Sequence, residues 1–312
     1  MTGRALVTGI GGQDGSYLAE RLDAEGTEVH AVVLDADGPP AHCPPEVVLH
    51  TGDVGDVDAT RALVLDLRPD EVYNLAAISS VAQSWERPDE TAHVNGLAAV
   101  ALMESARQVG DHVRFVQASS AEVFGEAAES PQTETTAIRP VNPYGAAKAY
   151  AHLAAGVCRQ RGDHVSSVIL YNHESPRRAT RFVTRKITST VAAIARGDAD
   201  HLTLGNLDAR RDWGWAPDYV DAMVRAARAD APGDYVIATG RAHSVRDFVA
   251  AAFDAAGIAQ WEPLVRQDEA FFRPADPTEL VGDSSRARDE LGWAPSVDFA
   301  ELVRRMVEAD LA

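Results

Sequence analysis

Three short stretches carry residue types at spacings that can do chemistry. Residues 9–15 read Gly-Ile-Gly-Gly-Gln-Asp-Gly, with Gly9, Gly12 and Gly15 each three apart. Glycines there permit a tight turn and let main chain approach a pyrophosphate, to which a following helix offers free N–H groups. A plain structural turn would use the same string. The strand before it and the helix after it are what favour a dinucleotide. Tyr144 and Lys148 stand four apart, so on a helix they share a face. An ammonium beside a phenol favours the phenolate, and a tyrosine of ordinary pKa about 10 then serves as a base near neutrality. Ser119, Ser120 and Glu122 close the apolar run "VRFVQASSAEVFG". A buried carboxylate is costly unless it is paired or used. Glu122 has therefore either left the strand for water or lies beside a reacting atom.

These residues need a scaffold, and the hydrophobic pattern describes one. "RALVT", "EVHAVVL", "VVLHTGD", "EVYNLAA", "VRFVQASS" and "VSSVILYNHES" are short β-branched runs. Helical patterns such as "SYLAERLDAEG", "VDATRALVLDLR", "GLAAVALMESARQVG" and "YGAAKAYAHLAAGVCRQRG" separate them. That alternation predicts an α/β fold, a doubly wound parallel sheet of Rossmann type whose ligands sit outside the carboxyl ends of the strands. After about residue 172 the rhythm changes to "DYVDAMVRAARAD", "VRDFVAAAFDAAG" and "FAELVRRMVEADL", with "DYVIATG" between them. We expect residues 1–172 to form the dinucleotide-binding domain and 173–312 a smaller, mostly helical substrate-binding part, interleaved because "DYVIATG" can return to the main sheet. Asp53, after "VVLHTG", suits an adenine amino group or, equally, the N-cap of the next helix. Small alanines in "YNLAA", residues 73–77, would let a cofactor lie against the backbone.

Composition excludes several function classes. The chain has 312 residues and a net charge of −18, which argues against general affinity for nucleic acid or anionic membrane. No apolar run approaches the roughly 20 residues of a membrane span, and the opening "MTGRALVTGIGG" leaves no room for a signal peptide. Cys43 and Cys158 are the only cysteines, so a reducing cytoplasm is the expectation, and no Cys/His cluster predicts a metal site.

Longer strings narrow the reading. "GQDGSYLAE", "NPYGAAKAYA", "NHESPRR", "FVTRKI", "LGNLDARRDWGWAPDYV", "HSVRDFV" and "FFRPADPTELVGD" resemble, in order and over essentially the whole chain, the GDP-mannose 4,6-dehydratases of the extended short-chain dehydrogenase/reductase family. The resemblance implies that Ser120 hydrogen-bonds the sugar O4 and Tyr144, supported by Lys148, takes its proton. Hydride leaves C4, Glu122 removes the C5 proton, water is lost from C6, and hydride returns to C6. It also implies cofactor contacts from Gly9, Gly12, Gln13, Asp14, Gly15, Asp53, Val54, Leu75, Ala76, Ala77, Ser79, Tyr144, Lys148, His173 and Arg178. Substrate contacts would come from Ser80, Ser84, Glu122, Asn172, Val183, Lys186, Arg211 and Arg273. Any single arginine is otherwise read as a solvated surface ion pair.

Departures from the family pattern matter as much. Ser120 stands for the usual threonine and keeps the hydroxyl. Ala121 stands for a hydroxyl residue and has no proton to give the leaving group, which leaves water or Tyr144. Leu34 and Asp35 stand where the family holds an Arg-Arg pair for the 2′-phosphate of NADP, and the loop "DADGPPAHCPPE" is short and acidic. A carboxylate there accepts from free ribose hydroxyls and repels that phosphate. Asp35 therefore favours NAD over NADP, and the short loop favours a homodimer over a tetramer. Two other readings remain: an enzyme for another nucleotide sugar such as CDP-glucose, or a non-catalytic relative that binds one.

Overall fold

Apolar runs of four to seven residues, each followed by a helix, require a sheet covered on both faces. The computed structural model describes residues 3–34, 40–268 and 279–312. Along the chain come β1 (Arg4–Thr8), α1 (Gln13–Ala24), β2 (Glu28–Val33), β3 (Val48–Thr51), α2 (Val57–Leu67), β4 (Glu71–Asn74), α3 (Val81–Glu86), α4 (Pro88–Ala92), α5 (Ala99–Val109), β5 (Arg114–Ser120), α6 (Pro143–Gln160) and β6 (Val165–Leu170). After them follow β7 (Asn172–Glu174), α7 (Val183–Arg196), β8 (Leu202–Leu204), β9 (Arg210–Trp215), α8 (Ala216–Arg228), β10 (Asp234–Ile237), β11 (Ala242–Ser244), α9 (Val245–Ala255), β12 (Val265–Gln267), β13 (Glu279–Leu280), α10 (Ser285–Leu291) and α11 (Phe299–Leu311).

The large sheet has seven parallel strands in the order β10-β6-β5-β4-β1-β2-β3. Strand alternation sorts its side chains into two layers. Ala5, Val7, Tyr73 and Val116 join one core with Leu18 of α1 and Tyr219 and Met223 of α8. Leu6, Val72 and Phe115 join the other with Val64 of α2 and Leu102 and Met103 of α5. The strand order reverses between β1 and β4, and the crevice in which such sheets bind ligands lies at that switch point, beyond the carboxyl ends of the two strands.

Residues after 172 divide between two bodies. The second half's α8 and β10 complete the large sheet. Helices α7, α9 and α11 enclose a separate core of Ile187, Trp213, Phe248 and Val303. The run "VSSVILYNHES" is not one strand. β6 pairs with β5, whereas β7 leaves the sheet and pairs with β9. Tyr171, between them, explains the break: its N–H donates to Ile237 O at 3.1 Å and its hydroxyl to Gln132 Oε1 at 2.9 Å. Buried Asp212 of β9 ties the bodies together, accepting from the N–H groups of Thr239 and Gly240 at 2.9 Å each.

One face of α6 is apolar and uncovered. Tyr150, Leu153 and Val157 are 48%, 57% and 56% exposed, and Leu97 beside that helix is 53% exposed.

Candidate active site

The crevice at the switch point is lined by small residues and free donors. Gly9 has φ +75°, and a Cβ there would stand 2.7 Å from Ala76 N. A Cβ on Gly15 would stand 2.3 Å from Gly9 O, so both glycines are needed to fold the turn itself. Gly12 then caps α1 without any side-chain hydrogen bond, which leaves the helix N-terminus open to a ligand. Opposite it, Thr8 Oγ1 accepts from the N–H groups of Leu75 and Ala76 at 3.1 Å each, fixing the Leu75–Ala77 strand end. A residue absent from the sequence reading, Asn95, holds the next turn: Oδ1 accepts from Ile78 N (2.8 Å) and Nδ2 donates to Ile78 O (3.0 Å). His93 contacts Gly55 O at 2.7 Å. Both lie in one turn of π-helix, residues 93–98, a form that recurs at functional sites.

Asp53 is exposed, and its Oδ1 accepts from Gly55 N at 2.8 Å. The cap of α2 is Asp56, whose Oδ1 accepts from Ala59 N at 3.1 Å, so the capping alternative for Asp53 is corrected. Val54 is partly buried beside it. Asp35 and Arg273 lie outside the described residues.

Gln13 and Asp14 face the second body. Gln13 Nε2 donates to His173 O at 3.0 Å, and Ser175 Oγ donates to Gln13 Oε1 at 2.9 Å. His173 Nε2 lies 2.9 Å from Asp14 Oδ2, and its Nδ1 lies 2.7 Å from Tyr171 O. With an acceptor on each nitrogen, the ring is satisfied only as imidazolium. Burial opposes charge on both partners. Their mutual attraction nonetheless holds Asp14 below and His173 above its ordinary value. Arg178 sits 3.3 Å from Glu174 and stacks on the Phe182 ring.

Catalytic candidates gather at the end of β5. Glu122 has left the strand and lies in a short 3-10 turn, residues 121–123, partly buried rather than free in water. Ser120 Oγ accepts from Glu122 N at 3.2 Å, and its hydroxyl is near enough to the Tyr144 phenol to favour the phenolate. Pro143 at the first turn pre-sets α6, and Asn142 caps it by accepting from Gly145 N at 2.7 Å. The same Asn142 donates Nδ2 to Glu122 Oε2 at 2.8 Å. Lys148 is buried and donates to Ala118 O at 2.9 Å. Its Nζ lies 6.0 Å from the Tyr144 ring centroid.

Burial pushes the Tyr144 phenol up to about 12, with the nearby Ser120 hydroxyl opposing this and the Glu122 charge adding to it. Burial also brings Lys148 down to about 8. The ammonium is held by the Ala118 carbonyl, on the same face of α6 as the phenol.

The substrate-side candidates are spread more widely. Ser79 is exposed, within 3.5 Å of Arg181, and Ser80 caps α3. Ser84 is fully buried, donating to Val81 O (2.7 Å) and accepting from Tyr144 N (3.2 Å), so its hydroxyl supports α6. Asn172 opens β7, Val183 and Lys186 lie on the first turn of α7, and buried Arg211 lies on β9, donating to Arg210 O at 2.6 Å.

Comparison with known proteins gives this arrangement a family. The model described as GDP-mannose 4,6 dehydratase matches residues 6–306. The chain belongs to that family. A GDP-mannose 4,6 dehydratase of Cricetulus griseus is 42% identical over 338 aligned positions, covering 98% of this chain and 91% of the relative. One from Arabidopsis thaliana is 43% identical over 324, covering 98% and 89%. Both stretches exceed this chain's 312 residues, so these dehydratases carry residues that it lacks. Among solved structures, the Thermus thermophilus UDP-glucose 4-epimerase in complex with NAD is 30% identical, with a TM-score of 0.87 and 98% of each chain covered.

In this dehydratase-family chain, the seat of α6 is testable through Gly145, where a Cβ would stand 2.5 Å from Glu122 O. Gly145→Ala should cost about 1–3 kcal/mol by chemical denaturation. Because it shifts Tyr144 against Glu122, turnover should fall about 100-fold. A variant with normal turnover would show that this contact does not set the site.

Proposed function

We propose that the chain is a hydro-lyase that converts GDP-D-mannose to GDP-4-keto-6-deoxy-D-mannose and water. Family membership supports the substrate. The observation that carries the chemistry is the convergence of Ser120, Tyr144 and Glu122 at the end of β5, with the Glu122 carboxylate fixed instead of solvated.

A nicotinamide dinucleotide fits the crevice among the described residues: α1 begins without a side-chain cap, and small residues line the strand ends. When bound, it supplies the hydride acceptor for C4 and the hydride donor for C6. Gly12, Gln13, Asp14 and the turn at Leu75–Ala77 would hold it, with Lys148, His173 and Arg178 beside them. Tyr144 takes the proton of the C4 hydroxyl, oriented by Ser120, as the C4–H bond breaks. The resulting 4-ketone acidifies C5, and Glu122 accepts the C5 proton. The electron pair left at C5 expels hydroxide from C6, which needs a proton to leave as water. Ala121 has none to give, so Tyr144, now a phenol, or a water supplies it. A proton returned to C5 completes the product as C6 is reduced. Ser80, Ser84, Asn172, Val183, Lys186, Arg211 and Arg273 remain the proposed substrate contacts, with Ser84 acting through α6.

The chemistry is tested by two variants. Glu122→Gln should bind substrate and oxidise C4, yet incorporate no solvent deuterium at C5, while the parent enzyme does. Tyr144→Phe should fail to reduce its cofactor at all. Near-normal turnover of either variant would remove that residue from the mechanism.

NAD over NADP rests on Asp35 and Asp37 and on the absence of arginine from Leu34 to Glu46. Chromatography of cofactor released by denaturation should give mainly NAD, and mainly NADP would overturn the preference. A homodimer is supported by the uncovered apolar face of Tyr150, Leu153 and Val157, which a second copy would cover. Light scattering should report two chains, and Leu153→Asp should give one; a monomeric parent would exclude it. No described helix is long and apolar enough to cross a membrane, which agrees with a cytoplasmic site of action. Fractionation of the source cells tests this, and recovery with the membrane would oppose it.

A further inference from the structure

The Asn142 side chain serves two elements at once. Its Oδ1 accepts from Gly145 N at 2.7 Å, the capping bond that starts α6. Its Nδ2 donates to Glu122 Oε2 at 2.8 Å, twenty residues back in the chain. An amide is required for both, because Nδ2 gives and Oδ1 receives. Asn142 is itself buried and extended, as a residue before proline should be, so its side chain has little freedom to do otherwise. The contact also divides the carboxylate. Oε2 is held, while Oε1 accepts no hydrogen bond among the described residues.

We propose that Asn142 is a positioning residue for Glu122, fixing the carboxylate through Oε2 so that Oε1 is the oxygen that meets the C5 proton. The inference rests on Glu122 as the C5 base. Glu122 and Tyr144 come from different elements, the turn after β5 and α6, and act on adjacent carbons. A single side chain that starts one element and holds the carboxylate of the other keeps base and base in register. The Glu122 charge acts on the Tyr144 phenol, as do those of Asp14 and Arg178. None of them donates to Glu122 among the hydrogen bonds found.

Capping and positioning can be separated. Serine caps a helix about as well as asparagine but has no second group to reach Glu122. Asn142→Ser should therefore keep the melting temperature and the rate of C4 oxidation, followed by the near-ultraviolet absorbance of reduced nicotinamide. Its C5 deuterium exchange and kcat should fall about 10- to 100-fold with KM little changed, and reduced cofactor should accumulate. Asn142→Asp also keeps the cap, favoured by the helix dipole, but sets a like charge against Glu122. It should exchange still more slowly than the serine variant. A purely capping role predicts parent-like exchange for both.

The two levels of the reading fail separately. If Glu122→Gln still exchanges C5, the base assignment falls. If Glu122→Gln is silent while Asn142→Ser exchanges at the parent rate, Glu122 stands and the role of Asn142 is overturned.

Discussion

The seat of α6 on the turn after β5 is the constraint on which the site depends. Gly145 packs so close to the Glu122 carbonyl that no side chain fits between them. Pro143 sets the first helical turn and Asn142 closes it, so the helix cannot slide without losing its cap. Ser84 takes up Tyr144 N from the opposite side. Tyr144 and Glu122 thus hold their places through main chain, and the chemistry inherits that precision.

Behind this seat runs a buried polar chain across the strand ends. Thr8 Oγ1 donates to Asn74 Oδ1 (2.7 Å), Asn74 Nδ2 to Gln117 Oε1 (2.9 Å), and Gln117 Nε2 to Ala118 O (3.0 Å). Lys148 joins at that same carbonyl. Unpaired, these groups would cost heavily in a dry crevice; paired, they cross-link β1, β4, β5 and α6 where the ligand must lie. The chain also decides the electrostatics. With its ammonium on Ala118 O, Lys148 is ordered at the back of the crevice, and burial holds the Tyr144 phenol high, at about 12.

Much of this was legible in the sequence, and the rest has physical reasons for being hidden. Strand–helix alternation is local, so the parallel sheet could be read from it. The break at Tyr171 could not, because its cause lies at Ile237 and Gln132, far along the chain. The start of α7, "FVTRK", has an aromatic cap and a basic first turn, which masked its helical pattern. Gly9–Gly15 and the Tyr144/Lys148 pair are signals of spacing, whereas the meaning of Glu122 needed the family resemblance. Asn95, Asn142 and Gln117 carried no readable signal: an asparagine before proline looks like a helix cap and nothing more. Each acts through a partner on another element.

Charge in the cleft follows from the same economy of pairing. The whole chain is strongly acidic, at −18, yet the ligand expected here carries phosphates. Three cations around the crevice are matched to acids: His173 to Asp14, Arg178 to Glu174, and Arg177 to Glu20. Isolated burial of such charges would be prohibitive, and pairing makes it tolerable. A paired cation still attracts an anion that approaches from its open side, while the uncapped N-terminus of α1 adds donors that carry no net charge. Asp14 is the pivot, since it stands in the first turn of α1 and anchors His173 across the crevice. Its imidazolium partner offsets the repulsion that a lone carboxylate would exert on phosphate. Through that one buried pair, the glycine turn of the first body and the strand leaving for the second are fixed against each other at the point where both must meet the ligand.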